Sequence, residues 1–404
     1  MKKTRDYLVI FMALLMSVAA YAQTDSLQGT NPDTSDIPEK RMEVAIFTPL
    51  FLDSAFDVSL QYRYGKNFPR FFNPGLEFYE GAQLAIDSLQ KEGISLDVRL
   101  YDTRSTKNPV AAVVNSESFN HIDLIIGQTN GPETRLLGAA AAKKNIPFIN
   151  ATYPNDAGIS NNPNFILLNS TLATHFTAMY KFIQKNYPVS PIILFRKKGP
   201  QEGLLKGYFD NIANRSSVPL KIKYITLEND FTAEDLKKHL QENTSANVCI
   251  SGSLDIPFGL RLTQELASLH DQYPSVVFGM PTWWDVVNLA KPEYKNIEVY
   301  FTTPFYLPGD HKLANSVQEF FKTKFYSRPT DMVYRGYETL YHFTHLLIKH
   351  GKNLGSSLSD KNFNLFTEYD IQPVLNPKTM TLDYFENKKI YFVKKVAGVV
   401  TEVR

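Results

Sequence analysis

The chain has 404 residues, of which 43% are hydrophobic and 21% charged, and Lys+Arg 43 against Asp+Glu 41 leaves a formal charge of +2. Such a composition excludes a disordered, collagen-like or disulfide-scaffold protein and leaves room for two to three domains. The excess charge lies in Lys2, Lys3 and Arg5 against Asp6, so the remainder is neutral and sets up no global field for nucleic acid or an anionic membrane surface.

Residues 1–22 read as a secretory signal. After the charged start comes the apolar stretch Leu8–Ala20, too short to span hydrocarbon, and Ala20-Tyr21-Ala22 offers small residues for cleavage before Gln23. The expected location is therefore the periplasm. No Cys stands near the cleavage point, so no lipid anchor is expected, and no later segment suits a transmembrane helix. Residues 23–41, rich in Thr, Asp, Ser, Asn and Pro, read as a flexible leader.

From Met42 strands and helices alternate. Val44–Phe51 suits a buried strand, and Phe78, Ala82, Ala85, Ile86 and Leu89 recur at helical spacing. Leu96–Tyr101 reads as a strand, Pro109–Phe119 as a helix, Ile122–Ile126 as a strand, Glu133–Lys144 as a helix and Pro147–Asn150 as a strand. A second series has helices at Thr171–Tyr187, Leu204–Ala213, Ala233–Gln241 and Pro257–His270, with strands at Ile192–Phe195, Ile222–Leu227, Val248–Ser251 and Val276–Phe278. Single helices between strands imply parallel pairing, so each series can build one open α/β sheet. The remainder holds a strand at Val299–Thr302, helices near Ala314–Phe325 and Thr330–His350, and a β-rich tail from Thr379 to Val403. The one cysteine, Cys249, sits in an apolar run, suits a small buried hydrophobe, and has no intrachain partner.

Several segments, taken in order, resemble the type 1 periplasmic binding proteins, the family of the leucine/isoleucine/valine-binding proteins. They are Val44–Leu50, Phe78–Ala85, Tyr101-Asp102-Thr103, Ile125–Gln128, Asn145–Asn150 and Glu202-Gly203-Leu204. The resemblance implies two Rossmann-like parallel-sheet lobes joined by three hinge crossings near Leu168–Thr171, Phe301–Tyr306 and Gly351–Ser356. Lobe 1 would be residues 42–168 plus 303–351, and lobe 2 residues 169–302 plus 352–404. A ligand would lie between them, beyond the carboxyl ends of the strands.

The turns that align with the family's ligand contacts are Gln128, Thr129, Asn130 and Gly131, then Ala151, Thr152 and Tyr153, on lobe 1. On lobe 2 they are Arg196 and Lys197, then Ser253, Leu254 and Asp255, then Thr282, Trp283 and Trp284. The family's amino-acid anchors are missing: Asn130-Gly131-Pro132 replaces the Ser-bearing turn, and Pro281-Thr282 stands where an acidic residue holds the ligand ammonium. Asp285 could substitute one turn away, or act as a helix cap. The ligand is therefore not read as leucine.

Asp53–Gly75 is a long loop interleaving Phe56, Tyr62, Tyr64, Phe68, Phe71 and Phe72 with Arg63, Lys66 and Arg70. It suits a lid or partner-binding patch, or equally an Ω-loop packed on its own rings. Trp283 and Trp284, the only two indoles, could form an aromatic platform, or one could be core. Glu338, His342 and His345 can share a helix face, but their order is not that of a zinc protease, and aromatic packing accounts for them. No nucleophile elbow, phosphate loop or dinucleotide fingerprint occurs, so no catalytic residue, metal or cofactor is expected. The reading is a monomeric, non-enzymatic protein that captures a small molecule and passes it to an ABC-type permease. The alternative is an envelope regulator or scaffold that uses the same fold to bind a protein or peptidoglycan partner.

Overall fold

The computed structural model describes residues 41–283 and 286–403, with Val287 described only for its backbone. The signal and leader assigned to residues 1–40 lie outside the described residues. The chain runs β1 (Met42–Thr48), α1 (Leu52–Ala55), α2 (Asn73–Lys91), β2 (Leu96–Asp102), α3 (Val110–Val114), β3 (Leu124–Gly127), α4 (Gly131–Lys144), β4 (Phe148–Asn150) and β5 (Phe165–Leu167). It continues through α5 (Leu172–Asn186), β6 (Ile192–Arg196), α6 (Pro200–Arg215), β7 (Ile222–Thr226), α7 (Ala233–Lys237), β8 (Asn247–Ser251), α8 (Ile256–Ser268), β9 (Ser275–Phe278) and β10 (Glu298–Thr303). Last come α9 (Lys312–Phe325), α10 (Asp331–His350), β11 (Ile371–Leu375), β12 (Leu382–Asn387), β13 (Tyr391–Val396) and β14 (Val399–Val403).

Two seven-stranded sheets result, ordered β11-β12-β5-β4-β3-β1-β2 and β14-β13-β10-β9-β8-β6-β7. Pairing is parallel except at β11–β12, β10–β13 and β13–β14. In the first sheet the alternation of side chains sorts residues onto two faces. Val44, Ile46, Leu124 and Ile126 join the core that includes Phe78 of α2 and Leu340 of α10. Their neighbours Ala45, Phe47 and Ile125 join the opposite core, with Val113 of α3 and Leu137 of α4. Parallel strands covered on both faces need continuous apolar runs, which is how β1 reads in the sequence. The second sheet is likewise covered on both faces, and Cys249 of β8 is fully buried there, its thiol pushed up to about 12 by burial.

The chain changes sheet after β5, after β10 and after β12. The first two changes fall where the sequence places the hinge crossings. The third does not: Gly351–Ser356 is not a crossing, because Phe385 and Glu386 of β12 pair with Ile166 and Leu167 of β5. Leu354, Leu358, Phe366 and Tyr369 also pack in the first lobe's core. Residues 352–387 thus belong with lobe 1, and only β13 and β14 return to lobe 2. A strand's pattern of apolar residues shows which faces it buries but not which sheet edge it joins.

Candidate functional site

The turns singled out in the sequence all stand at the carboxyl ends of strands β3, β4, β6, β8 and β9. On the first sheet, buried Gln128 is held in place by the Thr48 hydroxyl, which donates to its Oε1 at 2.6 Å. The hydroxyls of Thr129 and Thr134 share a hydrogen bond of 2.8 Å. Asn130 caps α4: its side chain accepts the Glu133 N–H at 3.0 Å, and Glu133 Oε2 accepts the Asn130 N–H at 2.9 Å. Glu133 also pairs with Arg104 at 3.0 Å. The helix start that could otherwise receive a ligand carboxylate is therefore occupied by the chain's own carboxylate.

After β4 the side chains are less engaged. Ala151 is buried, and its N–H donates to the Gly127 carbonyl at 2.9 Å. Thr152 and Tyr153 are half-exposed, and neither hydroxyl has a hydrogen-bond partner among the described residues. Gly131 makes room for that tyrosine, since a Cβ there would lie 2.7 Å from the Tyr153 hydroxyl oxygen.

On the second sheet, Arg196 ends β6 with its buried Nε unpartnered. Lys197 forms an ion pair with Asp255, and the shared hydrogen bond holds the lysine's pKa above its ordinary value and the aspartate's below. Asp255 also caps α8 by accepting the Phe258 N–H at 3.0 Å. The hydroxyl of buried Ser253 donates to Glu202 Oε1 at 2.7 Å, and Glu202 is itself buried in the first turn of α6. Leu254 packs half-buried against the second core, and Thr282 is exposed.

Trp283 is not a cleft platform. It is 1% exposed, and a Cβ on Gly259 or Gly279 would come within 2.0 and 2.1 Å of its ring, so the two glycines form a slot that holds the indole in the core. Trp284 and Asp285 lie outside the described residues. Sequence reasoning assigned no role to Asp102, whose carboxylate accepts the N–H groups of Leu50, Phe51, Leu52 and Arg104 at 2.8–3.1 Å and so fixes the turn after β1. An Asp directly after a strand and before a polar turn is the signal that could have found it.

The crossings are tied together by a second unanticipated group. Glu386 of β12, 2% exposed, accepts the Thr171 N–H at 2.8 Å, the Thr171 hydroxyl at 2.9 Å and the Thr174 hydroxyl at 2.6 Å, and pairs with Lys388 at 2.5 Å. Burial alone would raise this carboxyl, but Lys388 and the hydrogen bonds outweigh it and hold it below its ordinary value. Asn387 donates to the Leu168 carbonyl at 3.2 Å, and its own carbonyl accepts from Ser170 at 2.6 Å. The crossing after β10 joins through Thr302, whose hydroxyl lies 2.8 Å from His175 Nδ1 on α5.

In the long loop the rings pack on one another, Phe71 on Phe72 at 4.2 Å, Phe51 on Phe71 at 5.0 Å and Tyr64 on Phe72 at 5.6 Å, as an Ω-loop requires. Glu338 is engaged in accepting the N–H groups of Leu365, Phe366 and Thr367 at 2.9–3.0 Å. A hollow of about 500 Å³ between Asn164, Lys352, Gly355 and Phe385, and one of about 320 Å³ along Ile225–His239, include none of the turn residues.

By sequence, no family model and no curated protein matches this chain. Solved structures do match in fold. A putative branched-chain amino acid ABC transporter protein from Rhodospirillum rubrum superposes with TM-score 0.64 at 12% identity, over 90% of this chain and 100% of that one. A branched-chain amino acid ABC transporter periplasmic ligand-binding protein from Burkholderia xenovorans gives 0.60 at 13%, over 90% and 95%. The substrate-binding protein LivJ from Streptococcus pneumoniae, in complex with isoleucine, gives 0.52 at 15%, over 90% and 99%. The chain has the type 1 periplasmic binding protein fold, with two α/β lobes.

Proposed function

We propose that this chain is an exported solute-binding protein that holds a small molecule between its two lobes, performs no chemistry on it, and delivers it to an ABC-type transporter. The observation that supports this most lies at the strand ends, where Thr152, Tyr153 and Arg196 keep polar groups uncommitted while their neighbours are internally bonded. Structures of the same fold include proteins described as ABC transporter substrate-binding proteins, one of them in complex with isoleucine. The self-capped start of α4 argues that the ligand is not held by an α-carboxylate at that helix, which separates it from the amino acids.

The test is mass spectrometry of molecules released from freshly purified protein, followed by calorimetric titration. Thr152→Ala should weaken binding by roughly 0.5–1.5 kcal/mol, and Arg196→Gln by more, with melting of the unliganded protein little changed. Asp255→Ala is a poorer probe, because it removes the cap of α8 and should itself lower stability by about 1 kcal/mol. Unchanged affinity in both Thr152 and Arg196 variants would place the ligand elsewhere. A protein that releases no small molecule but co-purifies with an envelope component would favour the scaffold reading.

A further inference from the structure

The segment after β1 carries a feature that ligand capture does not use. Between Phe56 and Tyr62, which form an isolated antiparallel bridge, the chain makes a tight finger. Asp57 Oδ1 accepts the N–H groups of Ser59 and Gln61 at 2.8 and 2.9 Å, and the Asp57 and Leu60 N–H groups donate to the Gln61 and Asp57 carbonyls at 3.0 Å. The base of the finger is clamped where Asp53 accepts the Thr106 N–H and hydroxyl, both at 2.7 Å. At the tip stand Val58, 97% exposed, and Leu60, 78% exposed. Leu60 has φ 58°, a left-handed conformation that glycine or asparagine adopts far more easily. A strained backbone that holds a leucine out in water is a pointer to function.

The surroundings of the tip are also distinctive. Leu52, Phe68 and Phe71 are exposed nearby, so five large apolar side chains gather on this segment. Arg63, Lys66 and Arg70 are exposed and form no ion pair among the described residues, whereas Asp53 and Asp57 are engaged by hydrogen bonds within the protein. With Asp53 and Asp57 still counted, residues 52–72 carry a net charge of +1, and the three cations are left without an internal ion pair among the described residues. A convex apolar tip with aromatic and cationic flanks matches the layering of a membrane interface, where apolar side chains enter the acyl boundary, aromatic rings sit at headgroup level and cations meet anionic lipid. We propose that the Val58–Leu60 finger docks this protein on a bilayer surface containing anionic phospholipid, by shallow insertion of the two apolar side chains and attraction of Arg63, Lys66 and Arg70.

The test is co-sedimentation of the full mature protein with vesicles of phosphatidylcholine containing about a third phosphatidylglycerol, and with vesicles of phosphatidylcholine alone. The protein should pellet with the anionic vesicles, remain in solution with the neutral ones, and be released by high salt. Leu60→Gly removes the apolar side chain at a backbone position suited to glycine, so it should weaken binding roughly tenfold while the melting temperature holds or rises. Val58→Ser, at the most exposed position, provides a second variant in case the first alters folding. Three results would overturn the proposal: no pelleting above that seen with neutral vesicles, pelleting indifferent to salt, or binding unchanged in both variants.

Discussion

Burial, with a further push from Glu77, raises the Glu80 carboxyl from its ordinary 4.5 to about 7. A group raised in this way supports the folded state fully below its unfolded value, and that support is lost as pH climbs through about 7. Glu80→Gln should therefore raise stability near pH 8 by roughly 1–3 kcal/mol and leave it unchanged near pH 4. Thermal melts of both proteins at each pH check this, and equal gains at both would mean that the carboxyl titrates normally. The comparison has to be made against wild type, because burial holds His175 and His342 down at about 4, and their contribution runs the other way, being lost as pH falls from 6.5. At this scale the sequence located turns better than it located contacts. Asn130, Ser253 and Asp255 stand where the alignment of turns placed them, yet each is engaged in capping or holding its own neighbours. Trp283 occupies a predicted turn but faces inward, and only the paired glycines at 259 and 279, distant in sequence from one another, explain why. Asp102 and Glu386 draw their roles from partners about 50 and 215 residues away, which no local pattern displays.

Among the elements, α2 and α10 cross at unusually close range. A Cβ on Gly81 would lie 1.9 Å from the Val333 carbonyl oxygen, and one on Gly336 would lie 2.1 Å from that of Phe78. Backbone against backbone leaves nothing flexible to yield, so Gly81→Ala should cost about 1–3 kcal/mol or more. Gly207 in α6 has open space beside it, and there the same replacement should gain about 0.5–1 kcal/mol by favouring the helix. Denaturant melts of the two variants should thus shift in opposite directions, and a shared direction would contradict the crossing geometry. Long elements with a clear apolar period were legible, among them β1, α4, α5 and α10. The three-residue β5 was missed because it is too short to show a period, and the helix expected over Pro109–Phe119 stops at Val114, with a 3-10 turn following over Glu117–His121. The edge strand β11 was missed because its pattern is half exposed and contains Pro373.

For the molecule as a whole, the proposed ligand capture depends on how the lobes are joined. Lobe 1 reaches lobe 2 through three crossings, and Glu386, Asn387 and His175 bind these crossings to one another rather than leaving them independent. If the lobes open and close about these crossings, a ligand touching both can shift the balance only by its differential affinity for the two forms. The sequence revealed the two-lobe plan through its two series of alternating strands and helices, but the tail's return to the first sheet emerged only from the pairing of β12 with β5. The most direct test of ligand capture between the lobes is small-angle X-ray scattering of the protein stripped of its co-purifying small molecule and then reloaded with it. The account predicts a smaller radius of gyration on reloading, reversed when the ligand is removed again. A saturating ligand that leaves the scattering profile unchanged would contradict it.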